Sequence, residues 1–392
     1  MLPFSLDELT ENFFQQICEE QWSETQTLEF KALPPLSDDA AKQEFRKDVC
    51  ALANAEGGDL VYGISEKGGK ANAILSINGS VFDSLKRRLR QILESKVEPR
   101  IQGIQFHQCP LSGGGFVLVI RVPTSYDGPH RFGSVTEHRF AIRSDSATTD
   151  MTYDQLRNAF GRGATLLEKA ARLRTHRLDV IASSRAPRRL TPGPILALHF
   201  IPICGLADRA DVDIAGLHSD YSALMPSNDY SWTRAANIDG LVMYPYDDEN
   251  GVECCRQVFR NGTLEILQNV SVEPRTPNEP TGVSGQWVGD ELQSGLRTYV
   301  KAASRFGVSG PVVVSMSLVG TAGTLLATNN RSSTRHPIVD NRLDLPETMI
   351  DDITGNLDID AITRPMLDVL YQCYGQPRCS LFDSAGKWSP PR

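Results

Sequence analysis

Glu24 to Glu66 reads ETQTLEFK, ALPPLSDD, AAKQEFRKDVCALANAEGG and DLVYGISE in succession, and these 43 residues decide the reading of the chain. Leu28 and Phe30 alternate with Glu29 and Lys31, which predicts a strand with an apolar face and a face carrying a carboxylate beside an ammonium. Phe45, Val49, Leu52 and Ala53 share one stripe at helical spacing. Asp38 or Asp39 is available to cap the start of this helix, and Gly57-Gly58 to stop it. In the next strand Leu60, Tyr62, Ile64 and Glu66 are expected on one side, which would bring Glu66 out at the strand's end. Three carboxylates, Glu24, Glu29 and Glu66, are therefore expected to converge.

Three such groups repel one another unless a cation sits among them, and Mg2+ or Mn2+ takes oxygen ligands of this kind. A bound metal would lower the pKa of a nucleophilic water, and Lys31 would offset charge building on a phosphate. The plainer alternative is that Glu24 closes a turn, Glu29 pairs with Lys31 or an arginine, and Glu66 is a solvated strand end.

At these residues the chain resembles the Schlafen-type AlbA domain family, also described as a divergent AAA ATPase family. The resemblance rests on Glu24-x4-Glu29-Phe30-Lys31, on Ala51-Leu52-Ala53-Asn54-Ala55-Glu56-Gly57-Gly58 and on Val61-Tyr62-Gly63-Ile64. It continues through Pro99-Arg100-Ile101, Phe140-Ala141-Ile142-Arg143-Ser144 and the helix from Met151 to Phe160, covering roughly residues 20–162. It implies an α+β fold with a mixed sheet, and an association with nucleic acid. Nuclease members of the family, as the resemblance has it, use carboxylates at the positions of Glu24, Glu29 and Glu66 to cut structured RNA such as tRNA and rRNA. Glu66 stands where those nucleases carry Asp. A non-catalytic module binding nucleic acid or ATP is the other reading that the family allows.

Outside this stretch the chain of 392 residues has ordinary apolar and charged fractions, 40% and 22%, as a globular protein of two or three domains would. The first residues carry acids where a signal peptide needs bases, and no apolar run is long enough to span a bilayer, so the expectation is a cytoplasmic protein without membrane contact. Its eight cysteines show no C-x-x-C spacing and read as reduced thiols.

Charge is distributed unevenly. Up to residue 190 there are 25 Lys and Arg against 24 Asp and Glu, and beyond it 15 against 24, so the net −8 belongs to the second half. The first half is locally basic, which suits a phosphate-binding groove rather than a general nucleic-acid coat. Lys86, Arg87 and Arg90 lie off the apolar stripe Val81, Leu85, Leu89, Ile92 of a helix over 80–96, and Arg131, Arg139 and Arg143 follow later in the chain. These six are the candidate nucleic-acid contacts, with tRNA-like RNA or DNA as partner.

Further elements are expected as a leading helix over 5–21, strands at 101–108, 116–122 and 138–143, and a capping box formed by Thr152 and Gln155. Residues 1–162 form the first domain in this reading, 163–192 a basic helical and Pro-rich linker, and 193–392 a separate α+β domain of unrecognised family. The latter should hold strands at 195–203 and 241–246, a hairpin over 258–270 turned at Asn261-Gly262, a helix over 290–306, a strand over 311–318 and a last helix over 359–374. With one AlbA-type copy per chain, a homodimer would supply a second lobe. A phosphate loop is not matched, since the nearest approach, Gly63-x4-Gly68-Gly69-Lys70-Ala71, displaces the lysine and lacks the hydroxyl.

Overall fold

The computed structural model describes residues 1–2, 6–36, 38–77, 82–133, 138–145, 147–207, 210–225, 232–245, 251–274, 280–306, 308, 310–328, 331–332, 337–353 and 357–390. Val81 and Tyr246, expected in a helix and a strand, lie outside them. The fold is α+β, in two compact units, Met1–Thr165 and Leu166–Arg392.

In the first unit, α1 (Glu11–Glu19) precedes β1 (Leu28–Lys31), α2 (Asp39–Asn54), β2 (Gly58–Tyr62), β3 (Ile64–Glu66) and β4 (Ala71–Ile74). Then come α3 (Phe82–Lys96), β5 (Val97–Glu98), β6 (Gln105–Pro110), β7 (Phe116–Val122), β8 (Arg131–Gly133), β9 (His138–Arg139), β10 (Ala141–Ser144) and β11 (Ala147–Asp150). The central sheet runs β1-β2-β7-β6, with β1 and β2 parallel and the remaining pairs antiparallel. Alternation fills both faces. Leu60, Tyr62, Leu118, Ile120 and Val122 pack in one cluster with Phe45, Val49 and Leu52 of α2 and Leu85, Leu89 and Ile92 of α3. Leu28, Phe30, Val61, Val117 and Val119 pack in another with Phe14 and Ile17 of α1. Each such side chain fully buried contributes about 1.5–3 kcal/mol.

Asp38 is the N-cap of α2, accepting from the Ala41 N–H at 2.7 Å. Gly57, at φ +72°, does more than stop the helix: a Cβ there would meet the Val122 carbonyl oxygen at 2.6 Å, so only glycine lets this turn pass so close to β7. Gly63, at φ +96°, interrupts the strand that the sequence reading ran through to Glu66. As a result Ile64 joins the α1 side with Val61 rather than Leu60 and Tyr62. Glu66 sits on the separate β3–β4 hairpin and is exposed. The leading helix is shorter than expected, α1 starting only at Glu11 behind its cap Thr10.

α4 (Tyr153–Ala182) opens on the expected capping box. Thr152 N–H donates to Gln155 Oε1 at 2.9 Å and Gln155 N–H to Thr152 Oγ1 at 3.3 Å. It does not end at Phe160 but runs unbroken to Ala182. The helical part expected within 163–192 is thus continuous with the helix that starts at Tyr153, and Leu166, Ala170, Leu178 and Ile181 on it are buried.

The second unit continues with β12 (Ile195–Pro202), α5 (Ile203–Leu206), α6 (Ile214–Ser219), β13 (Trp232–Ala236), β14 (Gly240–Pro245), β15 (Cys254–Phe259) and β16 (Leu264–Asn269). After β17 (Ser271–Val272) and β18 (Gly282–Ser284) come α7 (Gly285–Ala303), β19 (Val312–Val319), β20 (Leu325–Thr328), β21 (Arg331–Ser332), β22 (Arg342–Asp344), β23 (Thr348–Ile350) and α8 (Ile359–Cys373). An eight-stranded antiparallel sheet runs β13-β14-β15-β16-β12-β19-β22, with β23 also on β19. The hairpin at Asn261-Gly262 forms as expected, whereas α7 begins five residues before Asp290. Leu178 and Ile181 of α4 pack with Ile195, Ala197 and Leu267 of the sheet. Phe200 of β12 stacks on Tyr299 of α7 at 5.3 Å between ring centroids.

Candidate carboxylate site and basic surface

β1 sends Glu29 and Lys31 to the side opposite Leu28 and Phe30, as its alternation requires. There Glu29 is buried, and its two oxygens are both engaged: Oε1 with the Lys31 ammonium at 2.6 Å, Oε2 with the guanidinium of Arg143 from β10. Arg143, itself buried, also donates through Nε to the Thr25 carbonyl at 3.1 Å. The ammonium of Lys31 reaches a further carboxylate, Asp48 of α2, at 3.3 Å. One network therefore joins β1, α2 and β10.

Its electrostatics are uneven. Burial works against the charge on Lys31, but the carboxylates of Asp48 and Glu29 outweigh it and hold the ammonium's pKa above its ordinary value. Asp48 is 2% exposed, and burial, reinforced by repulsion from Glu29 and opposed by Lys31, pushes its carboxyl up to about 7. Glu24, half-buried, accepts the Phe30 N–H at 2.9 Å. Burial lifts the Glu24 carboxyl above its usual range, that hydrogen bond opposes the shift, and the charges of Glu29 and Glu66 add to it. Glu66 accepts the Gly69 N–H at 2.5 Å inside the β3–β4 turn.

Glu24, Glu29 and Glu66 thus share an electrostatic neighbourhood without forming a ligand set. Among the described residues, no three His, Cys, Asp or Glu side chains are placed to hold a metal ion. The chemistry of the donors gives the reason. Glu29 is committed to two cations, whereas a hard divalent ion needs its oxygens free. The residues as arranged do not fit Mg2+ or Mn2+.

The six basic candidates separate into two groups. Arg143, expected as a nucleic-acid contact, is instead a buried partner of Glu29. Arg131 pairs with Glu98, and Arg139 with Asp150 at 3.0 Å. On α3, by contrast, Lys86 lies over the Phe82 ring, Arg90 over the Phe106 ring, and Arg87 is exposed. None of these three makes an ion pair among the described residues. The glycines around the displaced phosphate loop, Gly68 and Gly69, lie in a hairpin turn and open no helix.

Sequence reasoning missed Asp48, yet a signal was present. Asp48 falls between Phe45 and Leu52 at i+3 on the buried stripe, where a charge is out of place. Asn54, the last residue of α2, ties the helix to two distant segments. Asn54 Nδ2 donates to the His130 and Ala141 carbonyls at 2.9 and 2.8 Å, while its Oδ1 accepts the His130 N–H at 2.7 Å. In the second unit Arg177 of α4 grips Glu265 with two bonds of 2.8 Å, and His199 Nε2 meets the same carboxylate at 3.0 Å. The long-range pairing of β12 with β16 sets His199 opposite Glu265, and the packing of α4 on that sheet brings Arg177 to them.

Comparison with known proteins follows this division. Residues 24–152 match the family model described as Schlafen, AlbA_2. The second half of the chain has no family match. No curated protein matches the chain. Among solved structures, the DIP2311 protein of Corynebacterium diphtheriae is similar at 18% identity and a TM-score of 0.27, over 38% of this chain and 27% of that one. The N-terminal domain of a protein from Nitrosomonas europaea, described as related to the ATP-dependent DNA helicase RecG, is similar at 16% identity and a TM-score of 0.27, over 37% of this chain and 94% of that one. The match thus spans about a quarter of the Corynebacterium protein's length. No helix among the described residues is long and apolar enough to cross a membrane.

Proposed function

We propose that the first unit binds nucleic acid, structured RNA first among its ligands, and that its carboxylate network is a structural tie rather than a metal centre. The match to the Schlafen AlbA_2 family supports the association with nucleic acid. The observation that carries the reading is the contrast between two sets of cations. Arg143 is held by Glu29, while among the described residues Lys86, Arg87 and Arg90 on α3 have no carboxylate partner, in a chain whose net charge is −8. Unpaired cations on one helix of an acidic protein give a local positive field suited to a phosphate backbone. The second unit then serves as a partner or sensing domain, and a homodimer sets two binding lobes side by side.

Reversing Lys86, Arg87 and Arg90 together to glutamate should weaken RNA binding in a fluorescence titration. The slope of log affinity against log salt should flatten by about 0.7 for each lost single-strand contact, or 0.9 on a duplex. An unchanged slope would remove α3 from the interface.

One observation favours a second reading, a metal-dependent endoribonuclease acting on tRNA-like RNA. The Glu24 carboxyl responds to both Glu29 and Glu66, so the three acids stand within electrostatic reach of one another. That reading requires Glu29 to give up Lys31 or Arg143. It predicts cleavage that a chelator abolishes, and the binding reading predicts none.

A further inference from the structure

Between α2 and α3 lies a cleft of about 430 Å3 lined by Asp39, Lys42, Arg46, Arg88, Ser95 and Lys96, among others. Four of these are cations and one is an acid. Lys42 answers the acid, meeting Asp39 at 2.8 Å. Arg88 and Lys96 are exposed, and neither has a carboxylate partner among the described residues; Arg88 donates only to the Leu36 carbonyl, at 3.2 Å. On α3 these two stand eight residues apart with Gln91, Ile92 and Ser95 between them on the same side, so one helix face supplies that wall.

Arg46 supplies the other. It is 9% exposed, and its Nε is fixed to the Ile92 carbonyl at 2.9 Å. Its two Nη nitrogens have no protein partner among the described residues. Burial holds the Arg46 pKa below its ordinary value. Asp39 across the cleft acts on this guanidinium without a hydrogen bond to it, so the Nη fork stays open toward the cleft and can take an anion from outside the chain. A guanidinium's planar fork matches two phosphate oxygens at once.

We propose that this cleft is a phosphate-binding subsite, in which Arg46 grips a phosphate group of the bound nucleic acid while Arg88 and Lys96 close on it from α3. The inference rests on the nucleic-acid-binding reading above and adds the place where the strand is anchored. A second cleft of about 710 Å3 shares Ser95, Lys96 and Gly133 with the first and adds Arg100 together with Glu94 and the Arg131–Glu98 pair, so the added cation there without an ion pair among the described residues is Arg100.

The test is fluorescence anisotropy of the full chain with a labelled stem-loop RNA whose single-stranded 5′ end carries either a phosphate or a hydroxyl. Arg88→Gln/Lys96→Gln alters only exposed side chains and should weaken binding about tenfold, flattening the salt slope by about 0.7 for each cation removed. Arg46→Gln should weaken it by a similar factor at an unchanged melting temperature, and Arg46→Lys, keeping the charge but not the fork, should recover only part. Arg157→Gln, an exposed cation already paired with Asp154, is the control expected to match the unaltered chain. Loss with both RNAs would assign the cleft to an internal phosphodiester, and loss with the 5′-phosphate RNA alone to a terminal phosphate; either supports the subsite. If the unaltered chain binds RNA and both the Arg46→Gln and the double variant match it, the subsite is overturned and the binding function stands. If the unaltered chain binds no RNA at any salt, the binding function itself fails, and the subsite with it.

Discussion

Asp48 is where the first unit holds a proton most unusually. Burial, reinforced by the charge of Glu29, pushes its carboxyl up to about 7 in the folded chain, against about 4 for an unfolded one. Between those values the folded state binds more protons than the unfolded state, so this group's contribution to stability falls as pH rises, by up to about 1.4 kcal/mol per pH unit. Asp48→Asn should remove that slope. Melting curves of the two proteins should coincide near pH 4 and diverge toward pH 8, with Asp48→Asn the more stable at the upper end. Parallel curves across the range would show that Asp48 is ionised throughout.

Glu29 makes the opposite prediction. If three acids merely repelled one another, neutralising Glu29 would stabilise the chain. Paired on both oxygens, it should instead cost stability when changed. Arg143→Met should lose about 3 kcal/mol in urea unfolding, because it strips a buried carboxylate of its guanidinium. Adding Glu29→Gln to it should return part of that loss. A double variant no better than the single would mean that the pair contributes little.

Among the elements, α2 shows why some of the site could be read in advance and some could not. Its cap at Asp38, its stripe and its stop at Gly57 were all legible, because a helix's signals are local and repeat every three to four residues. So was the pairing of Glu29 with Lys31, set by the two-residue period of β1. What Asn54 does was not legible, because its partners at His130 and Ala141 lie 76 and 87 positions away. The same holds for Arg143, whose partner Glu29 is 114 positions distant; a basic residue next to a strand end looks alike whether it faces RNA or a buried acid. Glu66 was misplaced for a different reason: one positive φ at Gly63 shifted every later side chain to the other face. Asn54→Ala leaves three backbone groups of the His130 and Ala141 segments without partners and should cost on the order of 3 kcal/mol in chemical denaturation. A loss under 1 kcal/mol, on the order of one net hydrogen bond, would mean that the segments rearrange to satisfy themselves.

On the scale of the whole molecule, the net charge of −8 sets an acidic background against which the cations of α3 and the α2–α3 cleft stand out. Binding by such a surface is dominated by released counterions and needs no metal, so it should persist in EDTA and weaken steeply between about 50 and 200 mM salt. A homodimer should appear in light scattering at micromolar concentration; a strict monomer with and without RNA would confine binding to one lobe. The most direct measurement incubates the full chain and its Glu29→Gln variant with a tRNA-like RNA, in EDTA and in Mn2+, and reads binding and strand scission in the same samples. EDTA-resistant binding, intact RNA in every sample, and equal affinity for the two proteins wherever both are folded are the expected results. Scission by the unaltered chain in Mn2+ alone, lost in Glu29→Gln, would contradict the binding reading.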